Sequence, residues 1–303
     1  MVDVCVIGGG PAGLFSAYYC QSRGLQTMLL EADQRLGGRI HLFEQLKLYD
    51  VPGMFGVTGA DFLQSLLAQY KQANVPTTLA AYVRTVEQQE NCFNICTETQ
   101  CYQARTVIVA TGNGFLQYNS ITSPAQWKPF IHYMLQFPKN IQDVAVIGAN
   151  PMAVDWALQL EQAGHRVTLF TERLERIQPI LMLPLQQSSI DVQPFDNWRQ
   201  CQLQRDGLQY RDRMFQSIFV HVGTKKQALK LPRFQALDNG ITTIPGLFIA
   251  GDIRHEAGKL KLIVGAIHDA MQAANSANQF IHPQAHYQPV VSTHDATMKG
   301  WDE

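Results

Sequence analysis

The chain has almost no net charge, no run of basic residues and no long apolar stretch. Its 24 Lys and Arg are matched by 25 Asp and Glu, leaving −1. Without a basic patch, nucleic acid and anionic membrane surfaces are poor main partners. No apolar run reaches the roughly 18 residues of a membrane span. Strand-like sequence begins almost at Met1, so no secretory leader is expected and a cytoplasmic location is. The cysteines are Cys5, Cys20, Cys92, Cys96, Cys101 and Cys201, and none forms a C-x-x-C pair. That spacing argues against a zinc hook or a thioredoxin-like redox pair. Cys92 and Cys96 fall on one face of a strand with Cys101 after a turn, and packing is expected of them rather than metal. His282, His286 and His294 lie in a polar tail and read as solvated, so no metal site is expected. A catalytic acid, base or nucleophile is also missing, which fits chemistry carried by a cofactor.

What is present is an opening glycine motif. Asp3-Val-Cys-Val-Ile-Gly-Gly-Gly-Pro-Ala-Gly13 is a short apolar strand running into Gly8-x-Gly10-x-x-Gly13. An apolar run from Leu14 to Ser22 follows, then a second strand, Leu25 to Leu30, ending on Glu31. Gly8 permits the tight turn. Gly10 lets a pyrophosphate approach the backbone, and Gly13 lets the helix pack on the strand. The acid about 20 residues further on accepts hydrogen bonds from a ribose. Strand, loop, helix, strand and acid occur in the order a dinucleotide site needs.

The 303 residues, 46% of them hydrophobic, suggest about two domains. Leu36-Gly-Gly-Arg39 is a second close-approach loop and Leu48 to Gly53 a turn. Thr58 to Gln72 has helical spacing. Thr77 to Glu87, Cys92 to Thr97 and Gln100 to Gln103 read as a small antiparallel layer. Thr106 to Gly112 is a buried strand with a glycine turn, and Asn113 to Lys128 is irregular. Asp143-Val-Ala-Val-Ile-Gly148 then restarts the opening pattern. Helix Met152 to Gln162 and strand Arg166 to Phe170 follow, making an internal repeat. Leu174 to Gln187 is ambiguous. Trp198 to Arg205 reads as strand and turn, and Lys225 to Asn239 as a linker. Ile244 to Asp252 is a strand ending in Gly-Asp, and Leu260 to Phe280 contains a helix. The expected fold is α/β. It has two Rossmann-like, three-layer ββα dinucleotide-binding domains, the second inserted in the first. The expected boundaries are 1–114 and 236–303 for the first dinucleotide-binding domain and 115–235 for the inserted one.

Gly8-x-Gly10-x-x-Gly13, Glu31, Gly37-Gly38, Ala110-Thr-Gly112 and Gly251-Asp252 resemble the two-dinucleotide-domain flavoproteins of the thioredoxin reductase kind. Tyr49-Asp-Val-Pro-Gly53, His132-Tyr133, Ala153-Val-Asp-Trp-Ala-Leu158, Gly258-Lys-Leu-Lys-Leu-Ile263 and Ser292-Thr293 are similar to the thioredoxin-reductase-type ferredoxin (flavodoxin)–NADP reductases. The resemblance spans nearly the whole chain. It implies FAD with its pyrophosphate over Gly8, Gly10, Pro11, Ala12 and Gly13 and its adenosine ribose at Glu31. Further cofactor contacts are implied for Ala32, Gly38, Arg39, Asp50, Val83, Ala110, Thr111, Gly112, Leu116, Gly251, Asp252 and Lys259. Tyr49 resembles the aromatic residue that stacks on the flavin. The helix after Lys259 would aim its positive end at the flavin pyrimidine. The tail around Thr293 would reach the partner's flavin in a homodimer.

The second loop departs from the family pattern. Asn150 stands where a middle glycine is usual, and Pro151 follows it. Thr171-Glu172-Arg173 replaces a basic run that grips the 2′-phosphate of NADP. Nicotinamide-nucleotide contacts are expected from Gly148, Asn150, Met152, Ala153, Glu172 and Arg173. NADH is expected to serve as well as NADPH or better, and both poorly. The functional expectation is an FAD-dependent enzyme moving electrons between NADP(H) or NAD(H) and ferredoxin or a flavodoxin-like carrier. A low-molecular-weight disulfide reductase and a flavin-binding redox sensor with a degenerate nicotinamide site are the alternatives.

Overall fold

The computed structural model describes residues 1–172, 179–227, 229–255 and 258–286. It forms two compact units. One is built from Met1–Phe115 and the chain from Gln227 onward, the other from Leu116–Lys226. The α-helices are α1 (Pro11–Ser22), α2 (Gly59–Gln72), α3 (Pro151–Gln162), α4 (Pro179–Gln187) and α5 (Ile263–Ile281). Among the described residues no helix is long and apolar enough to cross a membrane.

The first unit is a seven-stranded sheet. Its order is Thr77–Thr78, Thr27–Leu30, Val2–Ile7, Cys101–Val109, Phe93–Cys96 and Thr85–Gln88. Leu247–Ile249 pairs in parallel with Val107 to Val109. The chain that leaves this sheet therefore returns to it more than a hundred residues later. Strand periodicity sorts the apolar residues onto two faces. Val4, Val6, Ile108 and Phe248 meet Leu14 and Ala17 of α1, Phe62 and Leu66 of α2 and Ala270 and Ala273 of α5. Cys5, Ile7, Leu30, Val107 and Val109 meet Val83, Val86, Phe93 and Ile95 on the other face. Helix α2 starts at Thr58, whose hydroxyl accepts from the Asp61 amide at 3.1 Å, a cap worth about 1 kcal/mol.

Several local expectations are corrected. Thr77–Thr78 does not join the antiparallel layer; it extends the parallel sheet beside Leu29 and Leu30. Ala80 then turns the chain at φ 52°, and only from Thr85 does it run antiparallel. Cys96 and Cys101 do not merely pack. The tight turn between their strands sets them directly opposite each other, and they form a disulfide with Cα atoms 4.1 Å apart.

The second unit has a parallel five-stranded sheet. Its order is Ile131–His132, Ser217–Val220, Asp143–Ile147, Arg166–Thr171 and Asp191–Pro194. Val144, Val146, Leu169 and Phe219 pack on Trp156 and Leu160 of α3. Ala145, Ile147 and Phe170 face Trp198, Leu208 and Phe215. Gln202–Gln204, Gly207–Tyr210 and Arg213–Phe215 form a separate antiparallel sheet. Trp198 is not in a strand. It is a buried residue of the 3-10 helix Phe195–Gln200, whose compact turn places the indole in the core. The stretch Asn113 to Lys128 is less irregular than its sequence suggests, since Phe115–Tyr118 is a strand paired with Thr224–Gln227.

Candidate functional site

The first site is assembled at the carboxyl end of the parallel strands, where open α/β sheets take ligands. Gly8 follows the Val2–Ile7 strand, and Gly10 is the N-cap of α1. A Cβ on Gly13 would lie 1.7 Å from the Gly8 carbonyl oxygen, so only glycine lets α1 pack this close. No side chain caps α1, and Pro11 begins it. Above Gly10 the space is open, and a Cβ there would meet only the Cα of Gly38 at 3.8 Å. The Leu36-to-Arg39 loop is held beside it by the Gly37 amide, which donates to the Gly9 carbonyl at 2.8 Å. Ala110 and Thr111 close over Gly8 from the Cys101–Val109 strand. The result is a cradle of backbone at a helix N-terminus, a form suited to an anion.

Glu31 is buried at the edge of this cradle. Its carboxylate accepts from the Gly9 amide and, at 2.8 Å, from the Asp33 amide. Burial nevertheless pushes its pKa above the usual value. A carboxylate has about four acceptor directions, more than the neighbouring backbone amides fill, so capacity remains for a hydroxyl donor. Uncapped α1, open space over Gly10 and spare acceptor capacity at Glu31 together fit the pyrophosphate and ribose of FAD. Ala32 is half-buried next to Glu31, and Arg39 is exposed on the loop that faces Gly10.

On another side stand Gly251 and Asp252. A Cβ on Gly251 would come 2.9 Å from the Cβ of Ala12, so the Gly-Asp turn rests directly on the first turn of α1. Asp252 accepts from Asn113 Nδ2 at 3.4 Å, a residue at the start of the stretch that reads as irregular. The Lys259 ammonium donates to the Gly251 carbonyl at 2.8 Å and to Asp269 of α5, which braces the turn. Asp269, only 4% exposed, also accepts from the Gly251 amide at 3.1 Å and from Arg254 at 3.3 Å. Asp269 and Arg254 were missed from sequence. The available signal was an acid on the alanine-rich face of α5 with two cations just upstream.

Tyr49 is 64% exposed at the tip of a small hairpin, its ring 5.4 Å from that of Phe55, which is 82% exposed. A second flat ligand ring would find the Tyr49 face accessible. Asp50 beside it is exposed. Val83 lies in the core on the opposite sheet face, and Thr111 and Gly112 follow Ala110 at the end of its strand. Leu116 lies in the Phe115–Tyr118 strand. Thr293 falls outside the described residues, as does Arg173.

The second loop has the same backbone plan and a different lining. Gly148 again follows a strand, and a Cβ there would lie 2.3 Å from the His221 carbonyl oxygen and 2.6 Å from the Cβ of Ala153. Here Asn150, not glycine, is the N-cap, and Pro151 opens α3. Asn150 Oδ1 accepts from the Ala153 amide at 3.2 Å and from His221 Nδ1 at 2.9 Å. Asn150 Nδ2 donates to the His221 carbonyl at 2.5 Å. Met152 is partly buried against the α3 core. Glu172 is exposed just after the Arg166–Thr171 strand. His221, at the end of Ser217–Val220, was not singled out by sequence.

Three of the four free cysteines are poorly placed for thiol chemistry. Cys5 and Cys20 are fully buried, and Cys201 nearly so. Burial raises the Cys5 and Cys201 pKa to about 12 and lifts that of Cys20 as well. Such thiols are not thiolates near neutral pH and are poor nucleophiles.

Comparison with known proteins places the chain among dinucleotide-binding oxidoreductases. Residues 6–66 match the family described as NAD(P)-binding Rossmann-like domain, and residues 55–189 match pyridine nucleotide-disulphide oxidoreductase. The chain is 32% identical to ferredoxin–NADP reductase 2 of Listeria monocytogenes, over 96% of each chain. It is 30% identical to ferredoxin–NADP reductase 1 of Bacillus mycoides, over 99% of this chain and 95% of that one. The fold is similar to thioredoxin reductase of Lactococcus lactis. There the TM-score is 0.65 at 23% identity, covering 93% of this chain and 99% of that chain.

Proposed function

This chain belongs to the ferredoxin–NADP reductase family, and from that premise we propose how its residues serve an FAD-dependent oxidoreductase. The electrons pass between a nicotinamide nucleotide and a one-electron protein carrier, ferredoxin or a flavodoxin. The observation that carries the reading is the uncapped, glycine-lined start of α1, enclosed by Glu31, Gly38, Ala110 and Gly251.

What FAD supplies when bound is hydride exchange with a nicotinamide and single-electron exchange with a protein carrier. The chain binds and orients. The N-terminus of α1 offers free amides and a positive dipole end to the pyrophosphate. Glu31 holds the adenosine ribose through its remaining acceptor directions. Gly251 and Asp252, fixed by Lys259 and Asp269, bound the middle of the cofactor. Tyr49 provides a flat face for the ring system. The second unit takes the nicotinamide nucleotide near Gly148 and Ala153. The enzyme acts as a cytoplasmic homodimer.

A disulfide reductase needs a reactive thiol near the cofactor. The α1 loop carries Ala12, and the nearby thiols Cys5 and Cys20 are buried and neutral. The flavin sensor differs from the reductase by one test. Purified protein is mixed anaerobically with NADPH or NADH, and the flavin absorbance is followed before and after adding ferredoxin. Bleaching by the nucleotide and recovery with ferredoxin support the reductase. A flavin that bleaches only on photoreduction overturns it in favour of the sensor.

A further inference from the structure

The two nucleotide loops share a strand, a glycine turn and a proline-started helix, yet their helix ends are finished differently. On α1 no side chain occupies the N-terminus. On α3 the Asn150 amide occupies it and is held from the far side by His221. We propose that Asn150 and His221 form a latch across the second loop that sets its affinity for the nicotinamide nucleotide. The inference rests on the reading of the second unit as the nicotinamide site.

The latch is made of three hydrogen bonds. Asn150 Oδ1 takes the Ala153 amide and the His221 ring, and Nδ2 holds the His221 backbone carbonyl. The carboxamide is thereby fixed at both ends. Pro151 has no amide hydrogen to offer, so the capped Ala153 amide is one of the few donors this turn could give a phosphate. The dinucleotide pyrophosphate needs the same amides and the same space. It must therefore displace the Asn150 side chain before it can bind.

His221 suits the holding role. It sits at the end of the Ser217–Val220 strand, beside Gly148. Its ring meets Trp156 of α3 edge-on, with centroids 5.1 Å apart. Burial lowers its pKa, which favours the neutral ring. Because Asn150 Oδ1 can only accept, the proton lies on Nδ1. The indole restrains the ring, and the ring restrains the amide. The latch is a device of position: neither residue exchanges electrons or protons with substrate, and each acts by occupying the loop.

Three variants test it in the FAD-loaded protein. Asn150→Gly removes the latch at small cost to α3, since glycine is nearly as good an N-cap as asparagine. His221→Phe keeps the ring beside Trp156 but removes the Nδ1 donor. Asn150→Gln keeps the carboxamide but lengthens it out of register with Ala153. Equilibrium dissociation constants for NADP+ and NAD+, which cannot reduce the bound flavin, are measured by fluorescence titration, with Tm and FAD content recorded alongside. Asn150→Gly is expected to bind both nucleotides about tenfold tighter, the order of the net worth of a side-chain cap once its displaced partners are rehydrated. His221→Phe is expected to gain less, in the same direction, and Asn150→Gln to lie between. Equal or weaker binding by Asn150→Gly and His221→Phe overturns the latch, and so does absence of binding in every variant. If Asn150→Gly does not fold, the sign of the His221→Phe change decides. Full FAD content with normal photoreduction in all variants keeps the flavoprotein assignment standing whichever way the latch is decided.

Discussion

The two units carry one loop design in two states, open at Gly10 and closed at Asn150. Both loops follow a parallel strand, both helices begin with proline, and both need a glycine where helix meets strand. What differs is the residue at the helix N-cap. Gly10 leaves the amides of α1 without a side-chain partner. Asn150 satisfies an amide of α3 from within the chain. A helix N-terminus is an anion site only while nothing internal has filled it. Good capping, normally a gain in stability of about 1 kcal/mol, then works against ligand binding.

The largest effect should come from the glycine at the helix–strand contact. Gly13→Ala places a Cβ against the Gly8 carbonyl at a distance no contact tolerates. It is expected to cost at least the 1–3 kcal/mol typical of overpacking, about 3 kcal/mol or more here, and to abolish FAD retention. Thermal denaturation and flavin content measure both. Gly148→Ala creates a similar clash with the His221 carbonyl in the second unit. It should lower stability while leaving flavin bound, and loss of flavin in that variant would mean the units are not separable as drawn.

Next is the acid. Glu31→Ala removes hydrogen bonds to a charged acceptor, worth about 1.5–3 kcal/mol. FAD affinity should fall roughly tenfold or more, read by titrating apoprotein. The same carboxyl gives a pH dependence with a definite sign. Burial raises its pKa, so on acidification it protonates before an ordinary glutamate at about 4.3 does. Protonation removes acceptor capacity, so FAD affinity should begin to fall as pH drops through a range above the usual carboxylate value. In Glu31→Gln that early fall should disappear.

A smaller change concerns nucleotide choice. Glu172 stands after the Arg166–Thr171 strand, where a 2′-phosphate would add nearly two negative charges. Repulsion at about 4 Å is about 1 kcal/mol per charge pair in water. Wild-type protein should therefore favour NADH slightly or not discriminate. Glu172→Arg with Thr171→His should raise kcat/KM for NADPH selectively. A wild-type enzyme that oxidises NADPH and ignores NADH would contradict this reading. The smallest effect is expected at α2, where Thr58→Ala should cost about 1 kcal/mol and leave FAD affinity unchanged.

Much of the first loop was legible because its requirements are local. A strand, three glycines at fixed spacing and an acid at the next strand end specify a cradle whatever surrounds them. Gly251-Asp252 was legible too, as a strand ending in a turn after a long excursion. The parts that were not legible depend on distant side chains. Asp269 reaches Gly251, Arg254 and Lys259 from a helix whose other buried residues are uncharged, and its sequence neighbours do not say which groups it meets. His221 lies 71 residues from Asn150 in sequence, so Asn150 could be read as an obstruction but not as a held one. Lys259 meets the same acid, Asp269, ten residues further along the chain, and its sequence context does not show that pairing. Cys96 and Cys101 joined because of strand register, which spacing alone did not determine.

The most direct test exchanges the two loop residues in the FAD site itself. Gly10 has φ −77° and open space at its Cβ position, so Gly10→Asn should fold and cap α1 as Asn150 caps α3. Titration of the Gly10→Asn apoprotein with FAD measures what that cap does to the ligand. Its Tm without flavin should be unchanged or higher, while its FAD affinity falls by about tenfold or more. Undiminished FAD affinity in a folded Gly10→Asn protein would show that the N-cap residue does not decide whether these loops are open or closed.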